Sequence, residues 1–181
     1  MATNMELDGA RRPNRWRIPV WGVAACLLLL PAIAMRVGTT GVHWTGSDFV
    51  VFGAMLFVAC GLYELGAMMS GRTVYRAAFA IAVGTGFFMV WVNIAVGIIG
   101  SEHNPANLAF AGVLIVAIVG ALAARFRPLG MSRAMVATAV AQALVAGIAA
   151  MARSIEGVAL SVCFIAVWLA SAALFRKAAQ Q

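Results

Sequence analysis

The sequence contains six apolar runs, each long enough to cross a lipid bilayer. The hydrocarbon core of a bilayer is about 30 Å thick, so a spanning helix needs about 20 predominantly apolar residues. Lipid offers the backbone no hydrogen-bond partners, and such runs must therefore be helical. We expect an all-α bundle of six transmembrane helices. The expected helices cover roughly residues 18–36, 48–69, 77–100, 105–124, 132–152 and 157–175.

Short polar segments separate the runs and flank them at both ends. Only residues 153–156 lie between the last two runs, but a single helix over 132–175 would be about twice as long as a bilayer requires. We therefore expect a tight turn there. The chain then divides into a basic tail at 1–17, a membrane domain at 18–175 and a second tail at 176–181. Neither tail is long enough to form a core of its own.

Several helix boundaries carry start or stop signals. Thr45-Gly46-Ser47-Asp48 fits a capping box, with Thr45 as the N-cap and Asp48 three residues later. Asn104 is a good N-cap, and Pro105 fits the first helical position, where its missing N–H is not needed. The segment at 127–130, which reads Arg-Pro-Leu-Gly, is expected to interrupt the chain before the fifth helix.

Composition narrows the class of protein further. Hydrophobic residues make up 64% of the 181 residues and charged residues only 10%, whereas about a quarter of the residues of a soluble domain are charged. These values exclude a disordered chain and an ordinary soluble enzyme. A net charge of +7 would suggest nucleic acid in a soluble protein, but here the basic residues lie between apolar runs. We therefore expect the lipid bilayer, and no nucleic acid, as a partner.

The basic residues are divided unequally between the two sides of the predicted bundle. The side that holds both termini carries eleven of the thirteen, and the other side carries only Arg36 and Arg153. Cytoplasmic loops of membrane proteins are enriched in Lys and Arg, so we expect both termini in the cytoplasm. The eleven are Arg11, Arg12, Arg15, Arg17, Arg72, Arg76, Arg125, Arg127, Arg133, Arg176 and Lys177.

The N-terminal region allows a second interpretation. Its arginines, the apolar stretch at 27–30 and the small residues at 32–34 resemble a cleavable signal peptide. Cleavage after Ala34 would leave five spans and place the N-terminus outside. The Arg11-Arg12 pair lacks the rest of a twin-arginine signal. We favour a retained first helix.

Three polar side chains within the predicted spans are candidates for an intramembrane site. Glu64 is the only acid well inside a span, and such residues are costly and are functional candidates by default. It fits either a proton or cation site or a carboxylate that snorkels to the surface or pairs with nearby arginines, and we favour the second interpretation. Asn93 and Gln142 fit either a polar pocket or hydrogen bonds between helices, and we favour the hydrogen bonds. The segment at 84–86, Gly-Thr-Gly, is the one candidate for a broken helix of the kind that transporters use.

The connection between the third and fourth helices is the most polar outer segment and suggests a second cluster. Histidine and carboxylate side chains can bind Zn or Cu, and histidine can sense pH. The spacing matches no ligand signature, so we favour loop and capping roles and expect no metal site. The cluster comprises His43, Asp48, Glu102, His103, Asn104 and Asn107.

The sequence carries none of the motifs expected of a membrane enzyme or a cofactor protein. Both histidines lie outside the predicted helices, which argues against a haem held within the bundle. The chain contains no P-loop and no HExxH motif. We therefore expect no catalytic residues, no cofactor and no enzymatic activity.

Three sequence elements between residues 44 and 130 carry a resemblance. They are Trp44 followed by Asp48-Phe49, the tripeptide Tyr63-Glu64-Leu65, and Trp91-Val92-Asn93 with the segment 97–107. Together they resemble an uncharacterised family of small bacterial integral membrane proteins with no established activity. The resemblance implies a bacterial protein of the inner membrane and implies no reaction.

Three classes of function are consistent with these residues. We favour a non-enzymatic membrane protein, either a homo-oligomer or an accessory subunit beside a membrane-protein partner, because ionisable groups within the spans are few and small residues form packing stripes. The first alternative is a small transporter or channel that uses Glu64 and Asn93. The second is an outer-face metal-binding or pH-sensing protein. The stripes are Gly112, Gly120 and Ala124 in the fourth helix and Ala139, Ala143 and Gly147 in the fifth.

Overall fold

The computed structural model describes residues 17–38, 41, 43–101 and 103–181. Within these residues, six helices are long and apolar enough to cross a membrane. They indicate a multi-pass membrane protein, as the apolar runs predict. The helices are α1 (Arg17–Arg36), α2 (Gly46–Met69), α3 (Thr73–Ala95), α4 (Ala109–Ala123), α5 (Pro128–Met151) and α6 (Ile155–Ala179), with a 3₁₀ turn at Pro105–Leu108 directly before α4.

The chain forms two compact units, at residues 1–44 and 45–181. In the first unit the structure describes α1, which contains Pro31 in its interior. A proline removes one backbone hydrogen bond, and membrane helices tolerate this where neighbouring groups satisfy the released carbonyl. The second unit contains α2 to α6.

The second unit is built around an α5–α6 hairpin. These two helices make the most extensive contact of the unit, while α3 packs on α6 and α4 packs on α5. α2 packs on α3, and α3 makes only limited contact with α4. The gap between α3 and α4 therefore reaches down to side chains of α5 and α6.

The α5–α6 hairpin packs through a regular antiparallel seam. Buried residues of both helices recur at alternating spacings of three and four, the pattern of left-handed helix pairs. A Cβ added at Gly157 would lie 3.2 Å from the Cβ of Ala149, which fixes the pairing of the two helices. From this contact, the spacing places Gln142 opposite Phe164. The seam residues are Met131, Met135, Thr138, Gln142, Val145 and Ala149 in α5 and Gly157, Ser161, Phe164, Trp168, Ser171 and Phe175 in α6.

Small residues bring α4 close to α5. A Cβ added at Gly120 would lie 2.9 Å from the Cβ of Ala134, and one added at Gly130 would lie 2.8 Å from the Cβ of Ala124. Two members of the predicted α4 stripe, Gly120 and Ala124, therefore pack within the chain. The stripe members that are exposed instead are Gly112, Ala143 and Gly147.

The third helix differs from its predicted bounds of 77–100 at both ends. It begins at Thr73 and ends at Ala95. It ends before the apolar residues 98–99 because Gly97 and Gly100 adopt positive φ angles of 73° and 72°, a conformation that glycine adopts without steric cost. A prediction made from hydropathy alone therefore extends the helix through this turn.

α3 also runs without a break through the Gly-Thr-Gly segment at 84–86. The Thr85 hydroxyl donates to the carbonyl oxygen of Ile81 at 2.6 Å, one turn earlier in the same helix. This bond satisfies a polar side chain inside a helix without help from a neighbour. The one candidate for a broken helix is therefore an unbroken part of α3.

The last two helices begin earlier than their predicted starts at 132 and 157. α5 begins at Pro128, because a proline fits the first turn of a helix and does not have to interrupt it. α6 begins at Ile155, where Ser154 caps the helix by accepting a 3.1 Å hydrogen bond from the backbone N–H of Gly157. The tight turn expected between the two helices is confirmed, and Arg153 closes it with a φ of 55°.

Candidate functional site

Basic side chains gather at one end of the second unit, which we call the basic end. Two side-chain hydrogen bonds tie the helices together there. Arg72 Nη1 donates to the carbonyl oxygen of Ala178 at 2.7 Å, and Tyr75 Oη donates to that of Phe126 at 2.8 Å. The basic residues of this end are Arg72, Arg76, Arg125, Arg127, Arg133, Arg176 and Lys177.

Asn107 organises the opposite end, in the connection between α3 and the 3₁₀ turn. It is only 5% exposed. Its Oδ1 accepts hydrogen bonds from the backbone N–H groups of Ile98 at 3.1 Å and Ile99 at 2.8 Å, and its Nδ2 donates to the carbonyl oxygen of Ser101 at 2.8 Å. One buried amide thus satisfies three backbone groups of a loop that has no helix ladder to do so.

Other members of the predicted outer cluster also serve the backbone. Asp48 Oδ2 accepts from the backbone N–H of Thr45 at 2.7 Å, which forms the capping box predicted for α2. Asn104 Oδ1 accepts from the backbone N–H of Ala106 at 3.0 Å and caps the 3₁₀ turn that begins at Pro105, as expected. These side chains act as caps that stabilise helix starts.

The two histidines of the cluster belong to different units. His43 lies in the first unit and His103 in the second, and both are exposed. Glu102 lies outside the described residues. The part of the chain that the structure describes contains no group of three or more His, Cys, Asp and Glu side chains placed to hold a metal ion.

A polar cleft of about 400 Å³ lies beside this loop, against the α5–α6 turn. Asn104 forms one wall, and residues 152–156 form the other. Arg153 and Glu156 contribute one charge of each sign, so the cleft favours neither anions nor cations. The sequence does not predict this cleft, because the loop and the turn are far apart along the chain and meet only in the folded structure.

Asn93 connects α3 to the same loop. Its Nδ2 donates to the carbonyl oxygen of Asn107 at 3.2 Å, which is a hydrogen bond between elements of the kind expected for this residue. Its Oδ1 is buried and has no hydrogen-bond partner among the described residues.

Glu64 lies half-buried in the last turns of α2. Arg76 of α3 reaches the same end of α2, where Nη2 donates to the carbonyl oxygen of Ala67 at 3.0 Å and Nε to that of Ser70 at 3.1 Å. A guanidinium at this position complements the negative end of the helix dipole. Ala67 follows Glu64 by three residues, so this arginine and Glu64 belong to the same region of the basic end.

Gln142 is fully buried in the seam between α5 and α6. Neither atom of its amide has a hydrogen-bond partner among the described residues, and the same is true of Ser161 Oγ and Trp168 Nε1. The seam places Gln142 between the levels of these two α6 residues. A buried amide without partners costs free energy, so this part of the seam is the most polar and least satisfied part of the core.

An apolar groove of about 560 Å³ opens between α2 and α4. Its floor consists of buried side chains from three other helices, namely Phe79, Met131, Met135 and Trp168. Its rim consists of exposed side chains of α2 and α4, namely Val58, Leu62, Leu65, Ile118 and Leu122. The sequence does not predict the groove, because its lining residues are ordinary apolar residues of the helices and the turn after α4.

The two ends of the groove differ. At the basic end, Phe126 of the α4–α5 turn lies beside Phe79, with ring centroids 6.3 Å apart. Away from the basic end, α3 approaches α4 closely, and a Cβ added at Gly86 would lie 3.3 Å from the side chain of Leu114. The groove continues past this contact to Val90 of α3, and in the other direction it extends to Phe126 at the basic end.

These elements can hold an apolar occupant in the groove and a small polar molecule in the cleft. Comparison of the chain with protein-family models, with curated proteins and with solved structures gave no match.

Proposed function

We propose that this chain is a non-enzymatic structural or accessory subunit of the bacterial cytoplasmic membrane, with both termini in the cytoplasm. The charge distribution supports the orientation, since the basic end carries most of the cationic side chains of the second unit. The resemblance of residues 44–130 to small bacterial integral membrane proteins supports the choice of the bacterial inner membrane.

The subunit role rests on one observation. The polar residues that the sequence singled out as candidates for a site form hydrogen bonds with the backbone of the chain. The side chain of Asn107 forms hydrogen bonds with three backbone groups. Asn104 and Asp48 cap helices, and Asn93 donates a hydrogen bond to the backbone carbonyl of Asn107. A catalytic or transport site needs polar groups directed at a ligand. Here they are directed at the chain itself.

Native mass spectrometry of the protein, extracted in mild detergent from its own membrane, tests this role. We expect a homo-oligomer or a membrane-protein partner in fixed stoichiometry that persists through a second purification step. An unrelated six-helix membrane protein with the same affinity tag serves as the control. A bare monomer under the same conditions would contradict the subunit role.

A small transporter or channel that uses Glu64 and Asn93 is the second candidate. The unsatisfied amide of Gln142 beside Ser161 and Trp168 favours it, because polar groups buried in a span often mark a path for ions or solutes. Proteoliposomes loaded with a pH-sensitive dye test it under an imposed proton gradient. A flux that Glu64→Gln abolishes and Glu156→Gln preserves would support transport, whereas the subunit role predicts the background rate of protein-free vesicles.

A further inference from the structure

The length of the apolar groove matches one leaflet of a bilayer. Its α2 wall runs from Ala54 to Leu65, which corresponds to about 17 Å at 1.5 Å per residue. Half of a bilayer core is about 15 Å deep. Because one end of the groove reaches the basic end, it extends from the membrane surface on that side to about the midplane.

The lining of the groove suits a hydrocarbon chain. The side chains that line the groove are all uncharged, and Trp168 is the only one with a nitrogen or oxygen atom. A single flexible apolar chain fits this space.

Cationic side chains flank the membrane-surface end of the groove. Phe126 lines the groove, and its chain neighbours Arg125 and Arg127 are both exposed. The backbone of this turn is unusual, since Arg125 and Phe126 have φ angles of 47° and 57°, a left-handed conformation that residues with a Cβ rarely adopt. Glu64 is the only acid at this end in the described part of the second unit, so the local charge is strongly positive.

We propose that the groove binds an acyl chain of an anionic phospholipid whose phosphate is held by Arg125 and Arg127. Guanidinium groups bind phosphate through paired, charge-assisted hydrogen bonds, and basic residues beside a span attract anionic lipids. The apolar walls of the groove hold the acyl chain below the headgroup. This inference requires only that the helices lie in a bilayer, and it does not depend on the subunit role.

The test is competitive lipid binding measured by native mass spectrometry. Delipidated protein is exposed to vesicles that contain equal amounts of phosphatidylglycerol and phosphatidylcholine, and the lipid adducts are counted. We expect preferential retention of phosphatidylglycerol, and addition of inorganic phosphate should not displace it. The double variant Arg125→Gln/Arg127→Gln should lose affinity about fivefold for each arginine and roughly thirtyfold in total.

Arg153→Gln is the matched control for the charge. Arg153 lies in the α5–α6 turn at the opposite end, and its φ of 55° resembles the 47° of Arg125. The control should retain phosphatidylglycerol like the wild type. Equal loss in the control and in the double variant would overturn the proposal, as would a wild-type protein that retains both lipids equally.

A second variant tests the groove itself. Ala121→Phe places a ring inside the groove with both arginines intact, whereas Ala123→Phe adds the same ring to an exposed position of α4 that does not line it. We expect loss of the phosphatidylglycerol adduct in the first variant only. Unchanged retention in Ala121→Phe, or a protein helix cross-linked into the groove of the wild type, would overturn the proposal. If these variants do not fold, the preference of the wild-type protein for phosphatidylglycerol over phosphatidylcholine still tests the proposal.

Discussion

Asn107 lies at the centre of the hydrogen bonds that hold the loop between α3 and α4. Replacing it by alanine leaves the backbone N–H groups of Ile98 and Ile99 without their acceptor. Each is a buried group that would lose a hydrogen bond worth about 1 kcal/mol or more. We expect Asn107→Ala to lower the free energy of unfolding by about 2–4 kcal/mol, measured by chemical unfolding in detergent.

Asn104→Ala is the control for this prediction. It removes a single cap bond, to the N–H of Ala106, and should cost about 1 kcal/mol. If both variants cost the same, Asn107 does not have the organising role assigned to it.

Replacing Gln142 should have the opposite effect on stability. Its amide is fully buried, and the described residues offer it no hydrogen bond, so replacement by an apolar residue of similar size should be neutral or stabilising. We expect Gln142→Leu to raise the melting temperature or leave it unchanged. A clear loss of stability would mean that the amide has a polar partner in the membrane, which would favour the transport candidate.

At the scale of helices, the contact between α4 and α5 depends on one glycine. A Cβ at Gly120 would approach the Cβ of Ala134 to 2.9 Å, while one at Gly112 of the same helix would meet nothing within 4 Å. We expect Gly120→Ala to cost about 1–3 kcal/mol because the two helices must move apart. Gly112→Ala should be neutral or slightly stabilising, since alanine favours the helix. Thermal unfolding of the two purified variants compares them directly, and equal stabilities would contradict the close contact.

Hydropathy predicted the helices well but several of their ends poorly. Six spans follow from the length of the apolar runs, and the Thr45 and Asn104 caps follow from local chemistry. The end of α3 could not be predicted in this way, because the apolar Ile98 and Ile99 leave the helix to bind an asparagine eight or nine residues later. The start of α5 at Pro128 could not be predicted either, since a proline can either break a helix or begin one.

At the scale of the whole molecule, the polar candidates were found from sequence and the groove was not. Asn93, Asn104 and Asn107 stand out because polar residues are rare in and beside apolar spans. The groove depends on how far α3 and α4 diverge, and no residue in its lining differs in type from those around it. Burial separates the floor residues Met131 and Trp168 from the exposed rim, and this distinction requires the three-dimensional structure.

We propose that the protein has six spans and that its basic end faces the cytoplasm. Cysteine labelling in intact bacteria tests this topology, after Cys26, Cys60 and Cys163 are replaced by alanine. Single cysteines are then introduced by Ala2→Cys, Ser101→Cys and Gln180→Cys, and each variant is treated with a membrane-impermeant maleimide. We predict that Ser101→Cys reacts in intact cells, and that Ala2→Cys and Gln180→Cys react only after the membrane is permeabilised. Labelling of Gln180→Cys in intact cells, with Ser101→Cys protected, would mean that the basic end faces outwards.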